Sequence, residues 1–192
     1  RFHLRPLSQF EESQLMGTAR EPKPAKFFVA LLSSTQELLT QTEKDLMALM
    51  GQIDGRSAVL PWNLSTYYEQ EMGSELLRCF VGFSSLLPPE RLTELKLKTQ
   101  LIEDRYRDSG GGRRINVDPG YLDAHKAVLA STKNASQRIY LRAGIYAEAT
   151  LFYDNGHFHG LAYTYRDYLW PEALAFFSHA RAAYLKQLKQ LA

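Results

Sequence analysis

The chain has 192 residues, of which 45% are apolar and 23% charged, and its 23 basic and 21 acidic residues leave a net charge of +2. These values are typical of one globular domain and exclude a disordered chain, a collagen and a coiled-coil rod. The charge balance gives no compositional sign of nucleic-acid binding. The single cysteine, Cys79, excludes a disulfide framework and a cysteine-based zinc site within one chain, and it favours a reducing, cytoplasmic location.

No apolar run approaches the roughly 18 residues that a membrane-spanning helix needs, so we expect no contact with a membrane. Residues 1–15 contain Glu11 and Glu12 and lack the continuous apolar run of a signal peptide. Because Met16-Gly17 resembles a natural start, we expect residues 1–15 to be an N-terminal extension or a product of cloning. Residues 16–192 are predicted to form a single domain.

The first strand and helix have clear sequence signals. Lys26 to Leu32 is a short apolar run typical of a buried strand. Ser34 or Thr35 can cap the helix that follows, and Gly51 is placed to end it.

A second series of strand and helix patterns leads to residue 120. Residues 57–60 and 76–83 have strand character, and Pro88-Pro89 opens a helix that the glycines from position 110 stop. Residues 114–117 form the fourth predicted strand, and Asp118-Pro119-Gly120 is interpreted as the turn that closes it. The order strand-helix-strand, strand-helix-strand is typical of the split βαβ, or ferredoxin-like, arrangement.

The second half of the chain departs from that order. Residues 123–130 are predicted to form a short helix, and residues 138–153, which alternate between apolar and polar, one long strand. We expect one face of this strand to be buried and the other to carry polar side chains; the buried face is Ile139, Leu141, Ile145, Ala147 and Leu151, and the polar face is Tyr140, Arg142, Tyr146 and Glu148. Asn155-Gly156 predicts a type I′ hairpin, and a final helix begins at Pro171.

The predicted fold is therefore α+β. A mainly antiparallel sheet is covered by two or three helices, with a ferredoxin-like start and a C-terminal β-hairpin and helix. Charge is uneven along this fold: residues 37–75 hold seven acids and two bases, and residues 105–142 hold eight bases and three acids. The basic segment could bind an anion locally, or the two segments could neutralise each other.

A glycine-rich segment is the first candidate binding site. In Gly110-Gly111-Gly112-Arg113-Arg114 the glycines allow backbone amides to approach a phosphate, and Arg113 and Arg114 can supply bidentate donors. It is not a Walker A loop, because Gly-x-x-x-x-Gly-Lys-Ser/Thr does not occur in the chain. The alternative is a flexible connection with solvated arginines.

The second candidate lies around Asp118, which ends the fourth predicted strand. We expect Asp118, Tyr121 and Lys133 to converge, with Glu148 close by, around a partly enclosed polar pocket in which Lys133 keeps the carboxylates ionised. The alternative is that Asp118 caps a turn and Lys133 points into solvent.

The polar face of residues 138–153 is the third candidate. Tyr140 could stack on a ligand, and Arg142 and Glu148 could hydrogen-bond to it; the alternative is the hydrated side of a two-layer sheet. His157 and His159 project to one side and could begin a metal site with a third ligand such as Asp154. Because they lie near an exposed turn, we interpret them as surface histidines, and no metal site is predicted.

Five sequence blocks carry a resemblance to a known family. In chain order they are GTAREPKPAKFFVALLSS, YYEQEMG, RRINVDPGYL, VLASTKNASQRIYL and GIYAEATLFY. Together they resemble an uncharacterised bacterial family, domain of unknown function 4416, over roughly Met16 to Leu188. Its members are sometimes labelled GTP-binding protein, so the resemblance implies nucleotide or GTP binding, although the Walker A and Asn-Lys-x-Asp motifs are both absent. The family supplies no catalytic residues; its blocks contain Tyr67, Tyr68, Glu69, Met72, Asp118, Pro119, Gly120, Tyr121, Lys133, Tyr140 and Glu148.

Three functional hypotheses remain open. The leading one is a cytoplasmic protein that binds an anionic small molecule, a nucleotide or the backbone of RNA, with positive charge from the 110–114 loop, Lys126, Lys133, Arg138 and Arg142. The second is a small enzyme acting on a phosphate- or carboxylate-containing substrate, with Asp118 or Glu148 as general acid or base and Lys133 or Arg142 stabilising negative charge. The third is an oligomerisation or adaptor module. No motif indicates a cofactor.

Overall fold

The computed structural model describes residues 18–66 and 69–191. The predicted extension at residues 1–15 and the two tyrosines Tyr67 and Tyr68 lie outside the described residues. The strands are β1 (Ala25–Ser33), β2 (Ile53–Arg56), β3 (Leu60–Trp62), β4 (Leu76–Leu87), β5 (Ile115–Leu122), β6 (Lys126–Ser131), β7 (Ile139–Arg142), β8 (Ile145–Asp154) and β9 (His157–Gly160). The helices are α1 (Gln36–Met50), α2 (Glu69–Met72), α3 (Arg91–Arg105) and α4 (Pro171–Leu191), and a short 3-10 helix covers Arg166–Leu169.

The strands form one antiparallel sheet in the order β2-β4-β1-β5-β6-β8-β7, with β3 also paired to β4 and β9 to β8. The strands β1, β2, β4 and β5, with α1 and α3 between them, reproduce the ferredoxin-like arrangement, and β6 to β9 extend its sheet at the β5 side. The predicted α+β class, the ferredoxin-like start and the C-terminal hairpin and helix are therefore confirmed. None of the described helices is both long and apolar enough to cross a membrane.

Local sequence signals explain how α1 begins and ends. The Thr35 hydroxyl accepts a hydrogen bond from the Leu38 amide at 3.3 Å and so caps the first turn. Gly51 ends the helix with a φ of 93°, and its N–H donates to the Met47 carbonyl. The helix buries Leu38, Leu39 and Leu46 against the sheet, as its apolar spacing predicts.

Helices cover both faces of the sheet. On one face α1 and α3 bury Val29 and Leu31 of β1 together with Val117 of β5. On the other face α4 packs Phe177 and Tyr184 against side chains that include Phe28 of β1. Since β1 and β5 have helices on both sides, polar groups on these strands are held away from bulk solvent.

The predicted turn at Asp118-Pro119-Gly120 is wrong, because β5 runs through all three residues. Asp118, Pro119 and Gly120 pair in register with Ala30, Val29 and Phe28 of β1. The ladder to β1 overrides the local turn preference of the tripeptide, since this strand is enclosed by two layers of side chains.

The predicted helix at residues 123–130 is also wrong. The chain turns at Asp123, whose carboxylate accepts from the amides of His125 and Lys126, and it returns as β6 beside β5. In β6 the residues Ala127 to Ala130 are all buried because both faces of the strand are covered. A strand buried on both faces loses the alternation that would distinguish it from a helix.

The predicted single strand over residues 138–153 is in fact the hairpin β7-β8. Ala143 and Gly144 form its two-residue turn, with φ values of 52° and 77°. β7 therefore lies at the edge of the sheet, and its side chains are exposed: Ile139 is 73% exposed and Leu141 41%. The expected burial of these two residues is wrong. The alternation of apolar and polar residues shows which side chains share a face, but it does not show that a strand lies at the edge of the sheet.

A second irregularity reverses the faces along β8. Ile145 and Ala147 are buried with the α1 and α3 side of the core as expected, but a register shift opposite Ala127 and Val128 carries Leu151 to the α4 side. Glu148, which was expected to project from the open face, is 3% exposed. The hairpin predicted at Asn155-Gly156, in contrast, is present, with Asp154 paired to His157.

Candidate functional site

The principal cavity of the described structure lies where β5 and β6 separate. The two strands pair only over Gly120 to Leu122 and Ala127 to Leu129. Beyond this short ladder β5 stays paired with β1, and β6 stays paired with β8. The gap between them opens a cavity of about 620 Å³, which is bounded by α3 and by the segment of residues 163–168.

Side chains from α3 replace the missing strand partner of β5. The Val117 amide donates to Glu103 at 2.6 Å, and the Val117 carbonyl accepts from the Lys96 ammonium at 3.2 Å. Both backbone groups would otherwise be unpaired in a buried position, which costs free energy comparable to a lost hydrogen bond. Lys96 and Glu103 thus satisfy backbone groups of β5 that β6 leaves unpaired.

Pro119 and Gly120 explain why the ladder stops at this point. Backbone groups of a strand alternate in direction every residue, so Pro119 faces the same neighbouring strand as Val117 and Tyr121 but has no N–H to donate. At Gly120 the chain passes so close to its neighbours that a Cβ would lie 2.5 Å from the Val128 carbonyl oxygen and closer still to the Phe28 ring. The Pro-Gly pair therefore ends the β5-β6 ladder within a continuing strand.

Lys96 and Asp118 form the central ion pair of the cavity. Their Nζ–Oδ1 distance is 2.8 Å, and the Asn116 side-chain amide donates to the second carboxylate oxygen of Asp118. Burial acts to raise the pKa of Asp118, but the Lys96 charge outweighs it and holds that pKa below its usual value. Burial acts to lower the pKa of Lys96, and Asp118 and Glu103 together raise it above its usual value. Both groups therefore carry their charges at neutral pH.

Glu103 is the second carboxylate of this cluster and is only 6% exposed. Burial raises its pKa to about 7, and the charge of Asp118 adds to this, although Lys96 and the Val117 amide act in the opposite direction. Two neighbouring carboxyl groups whose pKa values are pushed apart are the usual arrangement for an acid and a base.

The opposite wall contains a buried arginine and an aromatic surface. Arg78 forms an ion pair with Asp167 at 2.7 Å, and Asp167 also accepts a hydrogen bond from the Trp62 indole at 3.2 Å. The Tyr168 ring is 2% exposed and stacks on Phe177, with centroids 5.8 Å apart. The Tyr168 hydroxyl is buried without a hydrogen-bond partner among residues 18–66 and 69–191, and burial raises its pKa well above 10.

Arg138 organises the mouth of the cavity. Its Nε donates to the Glu148 carboxylate at 2.9 Å, and its two Nη groups donate to the Lys133 carbonyl and the Tyr165 hydroxyl. Burial acts to lower the pKa of Arg138, but the Glu148 carboxylate and Tyr165 raise it. The guanidinium therefore fixes the β6-β7 loop against the segment of residues 163–168.

The residues predicted from sequence fall into separate places. Asp118, Lys133 and Arg113 line the cavity, and Glu148 lies behind its wall as the partner of Arg138. The expectation that Tyr121 joins them is wrong, because Tyr121 lies three residues along the strand from Asp118 and points to the opposite face. It lines a second cavity, of about 410 Å³, together with Tyr140 and Arg142.

The glycine-rich loop binds a carboxylate of its own chain. The amides of Gly110 and Gly112 donate to Asp108 at 2.8 Å and 2.9 Å, and the Gly111 amide donates to the Asp108 carbonyl. Asp108 thus takes the position at which these amides were expected to receive a phosphate.

Arg113 and Lys126, two of the basic residues predicted to bind an anion, pair with acidic side chains of the chain itself. The Arg113 guanidinium binds both carboxylate oxygens of Glu71, at 2.8 Å and 2.7 Å. The Arg114 carbonyl accepts from Ser33, and Lys126 pairs with Asp123. No three His, Cys, Asp or Glu side chains among the described residues are grouped as metal ligands.

Sequence reasoning missed Lys96, Glu103, Arg78 and Asp167. The sequence pattern of α3 contained a signal for two of them. Lys96 and Glu103 lie on the buried face of this helix, which also carries Leu92, Leu95 and Ile102. Charged residues at core positions of an amphipathic helix are rarely buried unless they are paired. Arg78 and Asp167 come together only through the packing of the 3-10 helix against the sheet.

Comparison with known proteins gives the family of the chain. The family model described as Domain of unknown function (DUF4416) matches residues 23–184. The chain belongs to this family. No curated protein matches it, and neither does any solved structure. The matched range includes both walls of the principal cavity.

Proposed function

We propose that the protein binds a small anionic molecule of about nucleotide size in the cavity between β5 and β6. The observation that carries the proposal is the surplus of basic side chains that line one concave space. Among the described residues six basic side chains line the cavity, Arg78, Lys96, Arg113, Lys133, Arg138 and Arg166, with the three acidic side chains Glu103, Asp118 and Asp167. Glu71 and Glu148 pair with two of these arginines from behind the wall, and among the described lining residues basic side chains outnumber acidic ones.

The position of this charge favours a small molecule over RNA. A single-stranded nucleic acid needs a basic groove on an open surface with aromatic side chains on which successive bases stack. Here the basic groups converge on one concavity, and a volume of about 620 Å³ lies within the range of small-molecule sites. An RNA would meet only the mouth, at Lys133 and Arg166.

The ligand is expected to combine an acidic group with an apolar or ring-shaped part. The basic groups suit a phosphate or carboxylate, for which arginine is the preferred bidentate donor. The wall formed by Trp62, Leu129 and Tyr168 suits a ring. The unpartnered Tyr168 hydroxyl can donate to a ligand atom, since buried polar groups are normally hydrogen-bonded.

The test is calorimetric titration with nucleoside 5′-monophosphates, the matching nucleosides and a short single-stranded RNA. We expect the monophosphates to bind and the nucleosides to bind at least about tenfold more weakly, since the anionic group supplies the contacts to the basic residues. Lys133→Ala is expected to weaken binding at least about tenfold, whereas Lys44→Ala on α1, outside the cavity, is the matched control and leaves it unchanged. Tight RNA binding that monophosphates do not displace would contradict the proposal, and so would an absence of binding by every anion tested.

Catalysis is a second candidate, favoured by the Glu103 and Asp118 pair. A carboxylate held ionised by Lys96 beside a carboxyl group that titrates near pH 7 can provide a base and an acid in one site. Glu103 takes the role that the sequence assigned to Glu148, because Glu148 is bound by Arg138. Conversion of a bound phosphate ester or carboxylate ester, followed by NMR and lost in Glu103→Gln with binding retained, would support an enzyme. Recovery of every bound compound unchanged would favour binding alone.

A further inference from the structure

Glu103 and Asp118 share a single ammonium group. Lys96 lies 2.8 Å from Asp118, whereas within the described part of the chain Glu103 receives a hydrogen bond from the Val117 amide alone, at 2.6 Å. Glu103 lines the cavity and is almost fully buried. Of the two carboxylates, Glu103 is therefore the one whose negative charge is less well compensated. An additional negative charge in the cavity would raise the pKa of Glu103 and cause it to be protonated before Asp118.

We propose that Glu103 takes up a proton from solution when an anion enters the cavity, so that anion binding is proton-linked. The proposal rests on the anion-binding function given above. In the step a buffer acid gives its proton to a Glu103 carboxylate oxygen, and the carboxyl group becomes neutral while the anion remains charged. The surplus of basic groups in the cavity then rises by one, which favours the bound anion.

The charged groups around Glu103 support this assignment. On its own helix it faces Lys96, on β5 it faces Asp118, and the loop before β5 contributes Arg113, whose charge also acts on it. Across the cavity the charged side chains are Arg78, Lys133, Arg138, Arg166 and Asp167. No histidine is among the described residues that line the cavity. The pKa of Glu103 is about 7, whereas that of Asp118 is held low and that of Lys96 high, so of these three groups Glu103 is the one that titrates near neutral pH.

The expected size of the effect follows from Coulomb's law. A single negative charge placed about 8 Å from Glu103 at an effective dielectric of about 20 raises the pKa of the carboxyl group by more than one unit. Such a shift corresponds to an affinity about tenfold higher at pH 6 than at pH 9.

The test uses sulfate as the probe, because it stays a dianion over this pH range. Calorimetry of the full chain in buffers with different ionisation enthalpies should give proton uptake on sulfate binding near pH 7.5, and an affinity that falls at least about tenfold from pH 6 to pH 9. In Glu103→Gln the side-chain carbonyl can still accept a hydrogen bond from the Val117 amide, but the side chain cannot titrate. It should bind sulfate without proton uptake and with an affinity that does not change with pH, whereas Glu94→Gln on the exposed side of α3 should behave as the unaltered protein.

A second measurement separates this proposal from the binding function itself. The side-chain carboxyl ¹³C resonance of Glu103, followed by NMR, should titrate near neutral pH in the free protein and at higher pH with saturating sulfate. Sulfate that binds without moving this titration and without proton uptake would overturn the proposal and leave the binding function intact. A failure of sulfate to bind would overturn the proposal as well, and the monophosphate titrations would then decide the binding function on their own.

Discussion

The ammonium group of Lys96 on α3 lies 2.8 Å from the carboxylate of Asp118 in the middle of β5, although 22 residues separate the two in sequence. The same ammonium group also donates a hydrogen bond to the Val117 carbonyl, which β6 leaves unpaired. One side chain thus supports the open sheet and sets the charge of the cavity.

Lys96→Met is predicted to destabilise the fold by about 3 kcal/mol. The substitution leaves the Asp118 carboxylate in the cavity without its cation, and it leaves the Val117 carbonyl unpaired. The loss stays at the lower end of the range for buried ion pairs because the Asp118 side chain is 26% exposed. Urea unfolding measures the effect, with Lys98→Met on the exposed face of the same helix as the control. Adding Asp118→Asn should recover part of the loss, and equal stabilities of the two lysine variants would contradict the assignment.

Glu103→Gln is predicted to change how stability depends on pH. The pKa of Glu103 rises from 4.5 in the unfolded chain to about 7 in the fold, so between these values the folded state binds the proton and the unfolded state releases it. Stability therefore falls as pH rises from 4.5 to 7, by roughly 3 kcal/mol from this group. The difference in unfolding free energy between the variant and the unaltered protein should grow by that amount between pH 4.5 and pH 8. A difference independent of pH would show that Glu103 has an ordinary pKa.

Tyr168→Phe separates folding from binding. The Tyr168 hydroxyl is buried without a partner among the described residues, and its removal should stabilise the unliganded protein by about 1 kcal/mol. The same variant should bind a nucleoside monophosphate more weakly, since the hydroxyl is expected to donate to the ligand. Thermal unfolding with and without the monophosphate measures both effects. Lower stability of the unliganded variant would indicate that the hydroxyl already has a partner in solution.

Gly120→Ala is predicted to destabilise the protein by about 3 kcal/mol or to prevent soluble expression. The new Cβ would lie 2.5 Å from the Val128 carbonyl oxygen, and it would press on the Phe28 ring, so β5 and β6 could no longer approach. Gly55→Ala is the matched control, because a Cβ there would meet only Phe176 at 3.7 Å. Similar stabilities of the two variants would show that the sheet tolerates a wider spacing at Gly120.

GTP is predicted to show no guanine-selective, magnesium-dependent binding at micromolar concentration. The chain has neither a Walker A loop nor an Asn-Lys-x-Asp motif, and the amides of its glycine-rich segment are bound to Asp108. Calorimetry with GTP, ATP and GMP, each with and without magnesium, tests this. Saturable binding of GTP alone that requires magnesium would contradict the prediction.

Local signals in the sequence were sufficient for much of the fold. Thr35 caps the start of α1 and Gly51 ends this helix. Asn155-Gly156 forms the β8-β9 turn, and α4 begins at Pro171. In each case the determining interaction lies within a few residues of the chain, so the residue types alone carry it. The strand and helix order of residues 25–122 then selects the ferredoxin-like arrangement, because few antiparallel topologies accommodate it.

Long-range pairing decided the rest. Asp118-Pro119-Gly120 has the composition of a turn, but β5 pairs with β1 along its whole length, from Ile115 to Leu122. Residues 138–153 alternate as one strand does, and the positive φ angles of Ala143 and Gly144 fold them into a hairpin with an exposed edge. Local preferences of a few tenths of a kcal/mol yield to the pairing and burial of an entire strand.

The sequence by itself determined the fold class and pointed to Asp118 and Lys133 as residues of interest. Only the tertiary structure decided that Lys96 and Glu103 complete the Asp118 cluster, that Arg138 binds Glu148, and that Tyr121 belongs to another face. The physical reason is that the charge state and accessibility of a carboxylate depend on which distant side chains share its cavity. Those neighbours are set by where β5 and β6 separate, and that separation requires the packing of α3 and β1 as well as the Pro119-Gly120 pair.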